Sequence, residues 1–253
     1  MTLPFTLPDR PLKPRASGLT CLIDPGLPTG YFRDVIESHG GLVDCVKFGW
    51  GTSLVTKDLA EKMAVLRAND VTFLFGGSLF EKAVQRDCVD DYFRFCVESN
   101  CPLVEISNGT LEMAQEEKCR HITRFAQQFT VWSEVGYKDG ERSINLPPYK
   151  WIEFMLSELA AGAQMVITES RESGTSGICR SDGEVRYGLI SEIIASPVDM
   201  GRVIFEAPNK ELQTYFVKKL GSNVNLANIP FSDVIGLETL RLGLRSDTLI
   251  AFE

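Results

Sequence analysis

The chain has 253 residues, of which 44% are hydrophobic and 24% charged, and its formal net charge is −8. This composition is typical of a globular protein that buries its core without disulfides, and a net negative charge without a basic stripe argues against nucleic-acid binding. The seven cysteines form no CxxC pair and no apolar run approaches a membrane span, so we expect reduced thiols, a cytoplasmic location and no membrane partner.

Residues 1–18 read MTLPFTLPDRPLKPRASG and contain four prolines but no continuous apolar stretch. We therefore predict an extended arm that lies on the surface or on a neighbouring subunit, and not a secretory signal. Because such an arm suggests subunit contacts, we also expect a homo-oligomer.

From residue 19 onward, short apolar runs alternate with helical patterns in which apolar residues recur at i, i+3 and i+4. Several of the helical patterns end in glycine, a usual helix C-cap. The runs predicted as strands are 19–24, 45–50, 71–77, 102–107, 130–136, 164–170, 202–207 and 224–229.

The alternation of apolar strands and helices indicates a parallel sheet that is covered on both faces. Eight such units in about 230 residues fit a closed barrel better than an open doubly wound sheet. No GxGxxG motif follows the first strand, which weakens a dinucleotide-binding interpretation. We predict an α/β protein with a single (β/α)₈ TIM barrel over residues 19–253.

Charged residues interrupt the apolar pattern at or just past the predicted strand ends. They are Asp24, Lys47, Glu105, Glu134, Glu169, Arg171 and Glu206. Active sites of (β/α)₈ barrels lie at the carboxyl ends of the strands, so we expect these side chains to surround one mouth. For each glutamate, a place in a structural salt-bridge ring stays open as the alternative.

Carboxylates that meet without a histidine or cysteine ligand set suit a hard cation, Mg²⁺ rather than zinc. Lysines at the same mouth suit a phosphate, a carboxylate or a proton-transfer step. A Schiff base on Lys47 or Lys138 is conceivable, although Lys138 is predicted to lie in a loop beyond its strand.

The last βα unit resembles a phosphate site. Asn225 and Asn228 are predicted at the end of its strand, and Pro230 and Ser232 open the following helix. In many barrels the loops after strands 7 and 8 hold a phosphate at a helix N-terminus. Capping of that helix by Ser232 is the equally open alternative.

Four further residues are predicted to be structural. His39 precedes two glycines at a helix end and His121 lies within a helical pattern. Trp50 and Trp132 are expected in the core rather than as substrate platforms.

Eight motifs together resemble the phosphosulfolactate synthase family, and most closely its bacterial branch. The motifs are KFGWGTS, FGGSLFE, VEISNGT, SEVGYK, ITESRESG, VIFEAPNK, VNLANI and LETLRLGLRSDT. The resemblance runs from about residue 13 to the C-terminus. It implies a (β/α)₈ barrel that adds sulfite to phosphoenolpyruvate with Mg²⁺ and gives (2R)-phospho-3-sulfolactate, for coenzyme M or sulfolactate formation.

The resemblance also implies residue roles. Lys138 is the expected general acid, and Lys47 and Arg171 are expected to hold the phosphate, carboxylate or sulfite. We assign substrate binding also to Asp24, Asn225 and Asn228. The expected metal ligands are Glu134 and Glu169, followed by Glu105 and Glu206.

The chain departs from the archaeal pattern of the family at four positions. These are Pro25, Asn108, Tyr137 and Ser170. Because charge is lost at positions 25 and 137, a related Mg²⁺-dependent addition of another nucleophile to an enol phosphate stays open. Because the family has plant relatives linked to heat tolerance, a non-catalytic, heat-stress-associated barrel is the second alternative.

Overall fold

The computed structural model describes residues 5–252, in which eight short strands alternate with helices. The strands are β1 (Thr20–Asp24), β2 (Cys45–Phe48), β3 (Thr72–Phe75), β4 (Leu103–Ile106), β5 (Thr130–Val135), β6 (Met165–Thr168), β7 (Val203–Glu206) and β8 (Asn225–Ile229). The α-helices in this range are α1 (Thr29–His39), α2 (Leu59–Ala68), α3 (Gly77–Gln85), α4 (Val89–Glu98), α5 (Gln115–Phe125), α6 (Gly140–Asn145), α7 (Pro148–Ala160), α8 (Tyr187–Ala195), α9 (Lys210–Leu220) and α10 (Val234–Arg241).

All strand pairs are parallel, and the sheet runs in the order β3-β2-β1-β8-β7-β6-β5-β4. Pairing of β1 with β8 curls the sheet into a barrel, which confirms the predicted fold class. The barrel is nearly closed, because β3 and β4 form no ladder with each other.

Side chains along each strand alternate between the barrel interior and the outer face, as the two-residue period of a strand requires. On the outer face, residues such as Val46, Val104 and Phe205 pack under the helices in the main core. A second cluster fills the interior near the amino ends of the strands. It consists of Leu19, Cys21, Cys45, Leu74, Leu103, Trp132, Met165, Ile167, Ile204 and Ala227.

The positions of the helices are explained by their apolar faces and by the residues at their ends. In α4, Tyr92 and Cys96 are one turn apart and buried, while Asp90 and Asp91 lie in the first turn, where the helix dipole favours acids. Helix α9 ends at Leu220, and the following residue, Gly221, has a φ of 91°, a conformation that glycine adopts without a steric penalty. No helix of residues 5–252 is long and apolar enough to cross a membrane.

Residues 5–18 of the predicted arm form no helix or strand and lie on their own barrel, at its amino end. Arg10 pairs with Glu238 at 3.0 Å and Arg15 with Asp44 at 2.8 Å. Lys13 donates hydrogen bonds to two backbone carbonyls of the loop before β2. Residues 1–4 of the arm, and residue 253, lie outside the described range.

Candidate active site

The barrel mouth is lined by charged side chains that each lie two residues beyond an inward apolar residue. The successive inward pairs are Cys45 and Lys47, Leu103 and Glu105, Trp132 and Glu134, Ile167 and Glu169, and Ile204 and Glu206. Because the side-chain period of a strand is two, the charged members point into the same interior at the carboxyl end. All five charged side chains are buried.

Lys47 lies at the centre of an ion-pair network. Its Nζ atom is 2.9 Å from Glu105 Oε2, 3.2 Å from Glu206 Oε1 and 3.9 Å from Glu134 Oε2. Burial acts to lower the pKa of Lys47, but the charges of Glu105, Glu206 and Glu134 raise that pKa well above its usual range. Because a Schiff base needs a neutral amine, this arrangement disfavours that use of Lys47.

Lys138 lies in the loop after β5, and its ammonium bridges two carboxylates. Its Nζ atom is 3.1 Å from Glu134 Oε1 and 3.2 Å from Glu169 Oε2. Burial acts to lower the pKa of Lys138, but the charges of Glu134 and Glu169 raise it well above its usual range. The side chain keeps 24% of its surface exposed, so a protonated ammonium reaches the cavity and can exchange its proton with solvent.

Three of the four predicted metal ligands form a compact group. Glu134, Glu169 and Glu206 each place one carboxylate oxygen within 4.8 Å of the others. Burial and the charge of Glu134 raise the pKa of Glu169 well above its usual range, and burial raises the pKa of Glu206 against the opposing charge of Lys47. For Glu134, burial is outweighed by Lys138 and Lys47, which lower its pKa to about 2.

The donor set and the charge balance of this group fit Mg²⁺. Among residues 5–252, the four buried carboxylates of the mouth pair with two ammonium groups, so a divalent cation would balance the remaining negative charge. Carboxylate oxygens are the ligands that Mg²⁺ prefers. The buried Oδ1 atom of Asn228, on the wall of the same cavity, has no hydrogen-bond partner among residues 5–252. The free volume of the cavity is about 30 Å³, enough for an ion or a water molecule.

Glu105 differs from the other three carboxylates. Its Oε1 atom accepts a hydrogen bond from the backbone N–H of Gly77 at 2.7 Å, and its Oε2 atom pairs with Lys47. Glu105 therefore ties the start of α3 to the cavity floor and lies outside the compact group of three.

Backbone strain is concentrated at the mouth. Trp50, Arg171 and Asn228 line the cavity and have φ values of 53°, 58° and 56°, in the left-handed region. A non-glycine residue in that region costs about 1–3 kcal/mol, and such residues cluster at functional sites. The other left-handed non-glycine residues of the described range directly follow helix ends, where this conformation is usual. These are Asp70, Asp87 and Asn100.

Arg171 and Asn228, two of these strained residues, donate hydrogen bonds to the buried carboxylates. The backbone N–H of Arg171 donates to Glu169 Oε1 at 2.6 Å, while the exposed guanidinium pairs with no acid of residues 5–252 and is available to an anion. At Asn228 the register of β8 against β1 shifts, a β-bulge that turns its side chain inward. The Asn228 amide donates to Glu206 Oε1.

Asp24 does not line the cavity, although we predicted it to bind substrate. The preceding residue, Ile23, points into the barrel, so Asp24 points outward. Its carboxylate accepts hydrogen bonds from the backbone N–H groups of Gly26 and Leu27 and pairs with Lys62 of α2 at 2.6 Å. Asp24 therefore has a structural role on the outer face of the barrel, between β1 and α2.

Asn225 also lies away from the mouth. It is the first residue of β8, at the opposite end of the barrel, where its amide donates to the carbonyls of Gly201 and Val203. Ser232 does not cap the following helix, since its hydroxyl donates to Asp233 Oδ1 and no side chain caps α10. The cavity therefore includes Asn228 but neither Asn225 nor Ser232.

The expectation for Trp50 is wrong. Trp50 is 49% exposed and lines the mouth, whereas Trp132 is buried in the barrel interior as expected. The available sequence signal was the pair of flanking glycines, Gly49 and Gly51, which indicates a tight turn rather than a core segment.

Glu81 is a buried acid of α3 that the sequence reasoning missed. Its carboxylate accepts hydrogen bonds from Ser107 Oγ at 2.6 Å and from the backbone N–H groups of Thr110 and Leu111 at 2.8 Å. These bonds hold the loop after β4, whose Gly109 carbonyl accepts a hydrogen bond from the Lys138 backbone N–H at 2.9 Å. The sequence signal for Glu81 was an acid within the amphipathic pattern of a predicted helix.

Neither of the two histidines lies at the site, as expected. His39 and His121 do not line the cavity, and His121 packs on Phe80.

Comparison with known proteins agrees with the motif resemblance. Residues 8–247 match the family model described as (2R)-phospho-3-sulfolactate synthase. A phosphosulfolactate synthase of Bacillus subtilis is 53% identical over 242 residues, which cover 96% of each chain. One of Methanothermobacter thermautotrophicus is 43% identical over 249 residues, or 97% of this chain and 96% of the relative.

A solved structure supports the fold alone. The 3-hexulose-6-phosphate synthase of Salmonella typhimurium superposes with a TM-score of 0.57 at 12% sequence identity, covering 90% of this chain and 100% of that one.

Proposed function

Because this chain belongs to the (2R)-phospho-3-sulfolactate synthase family of enzymes, we propose that it adds sulfite to phosphoenolpyruvate in a Mg²⁺-dependent reaction that gives (2R)-phospho-3-sulfolactate. One observation carries the proposal. The Lys138 ammonium is held between Glu134 and Glu169 at a mouth lined by four buried carboxylates.

The proposed reaction forms one carbon–sulfur bond. The sulfur lone pair of sulfite attacks C3 of phosphoenolpyruvate, and the electron pair of the C2=C3 bond moves onto C2 and the substrate carboxylate. Lys138 then gives a proton from Nζ to C2, which completes the addition without a leaving group. Its partial exposure lets the amine regain a proton from solvent.

Glu134, Glu169 and Glu206 would hold the Mg²⁺, which when bound supplies Lewis-acid stabilisation of the negative charge on the substrate carboxylate. Glu134 and Glu169 also affect the proposed general acid, Lys138, because their negative charges raise its pKa. If a bound cation neutralised those charges, the pKa of Lys138 would fall towards the range of a useful proton donor.

Two anionic substrates repel each other, so cationic groups must bring them together. Arg171 is the favoured clamp, because its guanidinium is unpaired and can bind a carboxylate, phosphate or sulfite through two parallel hydrogen bonds. Lys47 is paired with three carboxylates, so it would contribute positive charge at the cavity floor while holding Glu105 and Glu206 in place.

The alternative nucleophile rests on the departures from the archaeal pattern, and the geometry limits the effect of two of the four, Tyr137 and Ser170, whereas Pro25 lines a cavity beside the mouth. The Tyr137 ring stacks on the Arg142 guanidinium at 4.1 Å and does not line the cavity. The Ser170 backbone N–H donates to Glu206 Oε2, a contact that any residue but proline can make. Sulfite stays our proposed nucleophile because the synthases of Bacillus subtilis and Methanothermobacter thermautotrophicus are 53% and 43% identical to this chain. The non-catalytic alternative is disfavoured because the heat-stress-associated protein of Arabidopsis thaliana is only 24% identical over 92% of this chain.

The test is phosphorus NMR of the purified protein with phosphoenolpyruvate, sulfite and Mg²⁺. We expect a new phosphate-ester resonance that needs sulfite and disappears with EDTA. Lys138→Ala should remove it, because the general acid is lost, a step that typically contributes about 10²–10⁴-fold.

Lys150→Ala is the matched control. This lysine is on the surface of α7 and pairs only with Glu153, so the variant should make product at the wild-type rate. Product formed by the wild-type protein with another nucleophile, but not with sulfite, would favour the alternative addition. No product with any nucleophile would overturn the proposal.

A further inference from the structure

A second cavity adjoins the first at the mouth. It has a free volume of about 230 Å³ and is bordered by the loops that follow β1, β2, β6, β7 and β8. Four residues line both cavities. They are Ile23, Trp50, Glu172 and Asn228. The inner cavity is smaller than a three-carbon phosphate ester, and the outer cavity is adjoining free space into which a bound substrate would extend.

Trp50 is the only aromatic residue among the four that line both cavities. It lies in the 3₁₀ turn Gly49–Leu54, and its left-handed φ of 53° is a genuine outlier for a bulky residue. The turn packs closely on β1, because a Cβ atom on Gly49 would lie 3.0 Å from the Ile23 side chain. The backbone therefore holds the Trp50 side chain at the mouth.

The Trp50 side chain has unused binding capacity. Its indole N–H donates to no group of residues 5–252, and about half of its surface is exposed between two cavities. An indole offers an apolar body and one N–H donor, and the exposed half of the Trp50 side chain presents both to the mouth.

We infer that Trp50 is a further substrate-binding residue, whose indole contacts phosphoenolpyruvate where it passes from the inner to the outer cavity and donates its N–H to an anionic oxygen. This inference rests on the proposed function. It names a contact that the carboxylates, Lys138 and Arg171 do not provide.

Substitutions can separate the side chain from the backbone. In Trp50→Gly the left-handed turn is retained without strain, since glycine adopts this conformation freely. We expect the variant to keep the wild-type melting temperature and to lose about tenfold in kcat/KM for phosphoenolpyruvate, which corresponds to about one hydrogen bond. Trp50→Phe keeps an aromatic surface without the N–H and should lose less.

Leu54→Ala is the control within the same turn. Leu54 is 63% exposed and lines neither cavity, so its kcat/KM should equal that of the wild-type protein. Fluorescence reports the contact itself. Trp132 and Trp151 are buried, so we assign to Trp50 the part of the phosphoenolpyruvate-dependent change in emission that is lost in Trp50→Phe.

The outcomes distinguish this inference from the proposed function. If wild-type protein forms product and Trp50→Gly has the same kcat/KM, Trp50 is not a substrate-binding residue and the synthase activity stands. The same holds if phosphoenolpyruvate leaves the Trp50 emission unchanged. If wild-type protein forms no product from sulfite and phosphoenolpyruvate, the proposed function and this inference fall together.

Discussion

At the scale of single residues, Glu169 controls the cation site that we propose. The raised pKa of Glu169 means that it retains a proton more readily than an exposed glutamate, and a cation must displace that proton to bind. We therefore expect Mg²⁺ affinity to increase as the pH rises above the usual titration range of a glutamate. Calorimetric titration of the protein with Mg²⁺ over a series of pH values measures this.

Glu169→Gln tests the ligand itself. At saturation of about 100 times its dissociation constant, Mg²⁺ should stabilise the wild-type protein by about 2.7 kcal/mol. For a chain of this size this is a rise in melting temperature of roughly 5–10 °C. The rise should vanish in Glu169→Gln and persist in Glu192→Gln, an exposed acid on α8. A rise that persists in Glu169→Gln would remove Glu169 from the metal site.

At the scale of elements, the long loop after β6 determines where Glu169 lies. Gly177 of this loop has a φ of 61°, and a Cβ atom there would collide with the Glu169 carbonyl oxygen. The Ile178 N–H donates to that same carbonyl at 2.9 Å. Gly177→Ala should therefore displace Glu169, and a shift of about 1 Å at a catalytic site can lower kcat/KM by about 10²-fold.

Gly183→Ala is the matched control in the same loop. Its φ of 90° gives a similar backbone penalty, but the nearest atom to a new Cβ is 3.9 Å away. This variant should lose some stability and retain kcat/KM. Equal losses of kcat/KM in both variants would mean that backbone strain in the loop, and not contact with Glu169, determines activity.

The elements also show how far the sequence could predict the site. Eight strands, their order in the chain and the charged strand ends follow from periodicity. The two-residue period, applied within β1, would have turned Asp24 outward, and the predicted strand bounds 224–229 would have placed Asn225 at the amino end of β8. The positions of Trp50 and Glu81 do not follow from periodicity, because a strained turn and contacts between distant loops determine them.

At the scale of the whole molecule, the two ends of the chain are joined at the seam between β1 and β8. Arg241 of α10 is fully buried and donates to the carbonyls of Leu19, Ser222 and Val224. Burial, together with the charge of Arg10, lowers the pKa of Arg241 to about 9, which leaves it charged at neutral pH. The N-terminal arm adds a second contact at this seam, the ion pair between Arg10 and Glu238 of α10.

Removing the buried guanidinium should weaken the seam without altering the mouth. Arg241→Met removes one hydrogen bond from each of these carbonyls, although Leu19 still accepts from the Leu226 N–H and Ser222 from Arg10, so we expect it to lower the free energy of unfolding by about 1–3 kcal/mol in urea titrations. Its kcat below the melting transition should match the wild-type value, because Arg241 lies at the amino end of the barrel. Arg245→Met, a partly exposed arginine 4.0 Å from Asp247, should change the free energy by no more than about 0.5 kcal/mol. If the two variants proved equally stable, the seam would be held by strand pairing and packing alone.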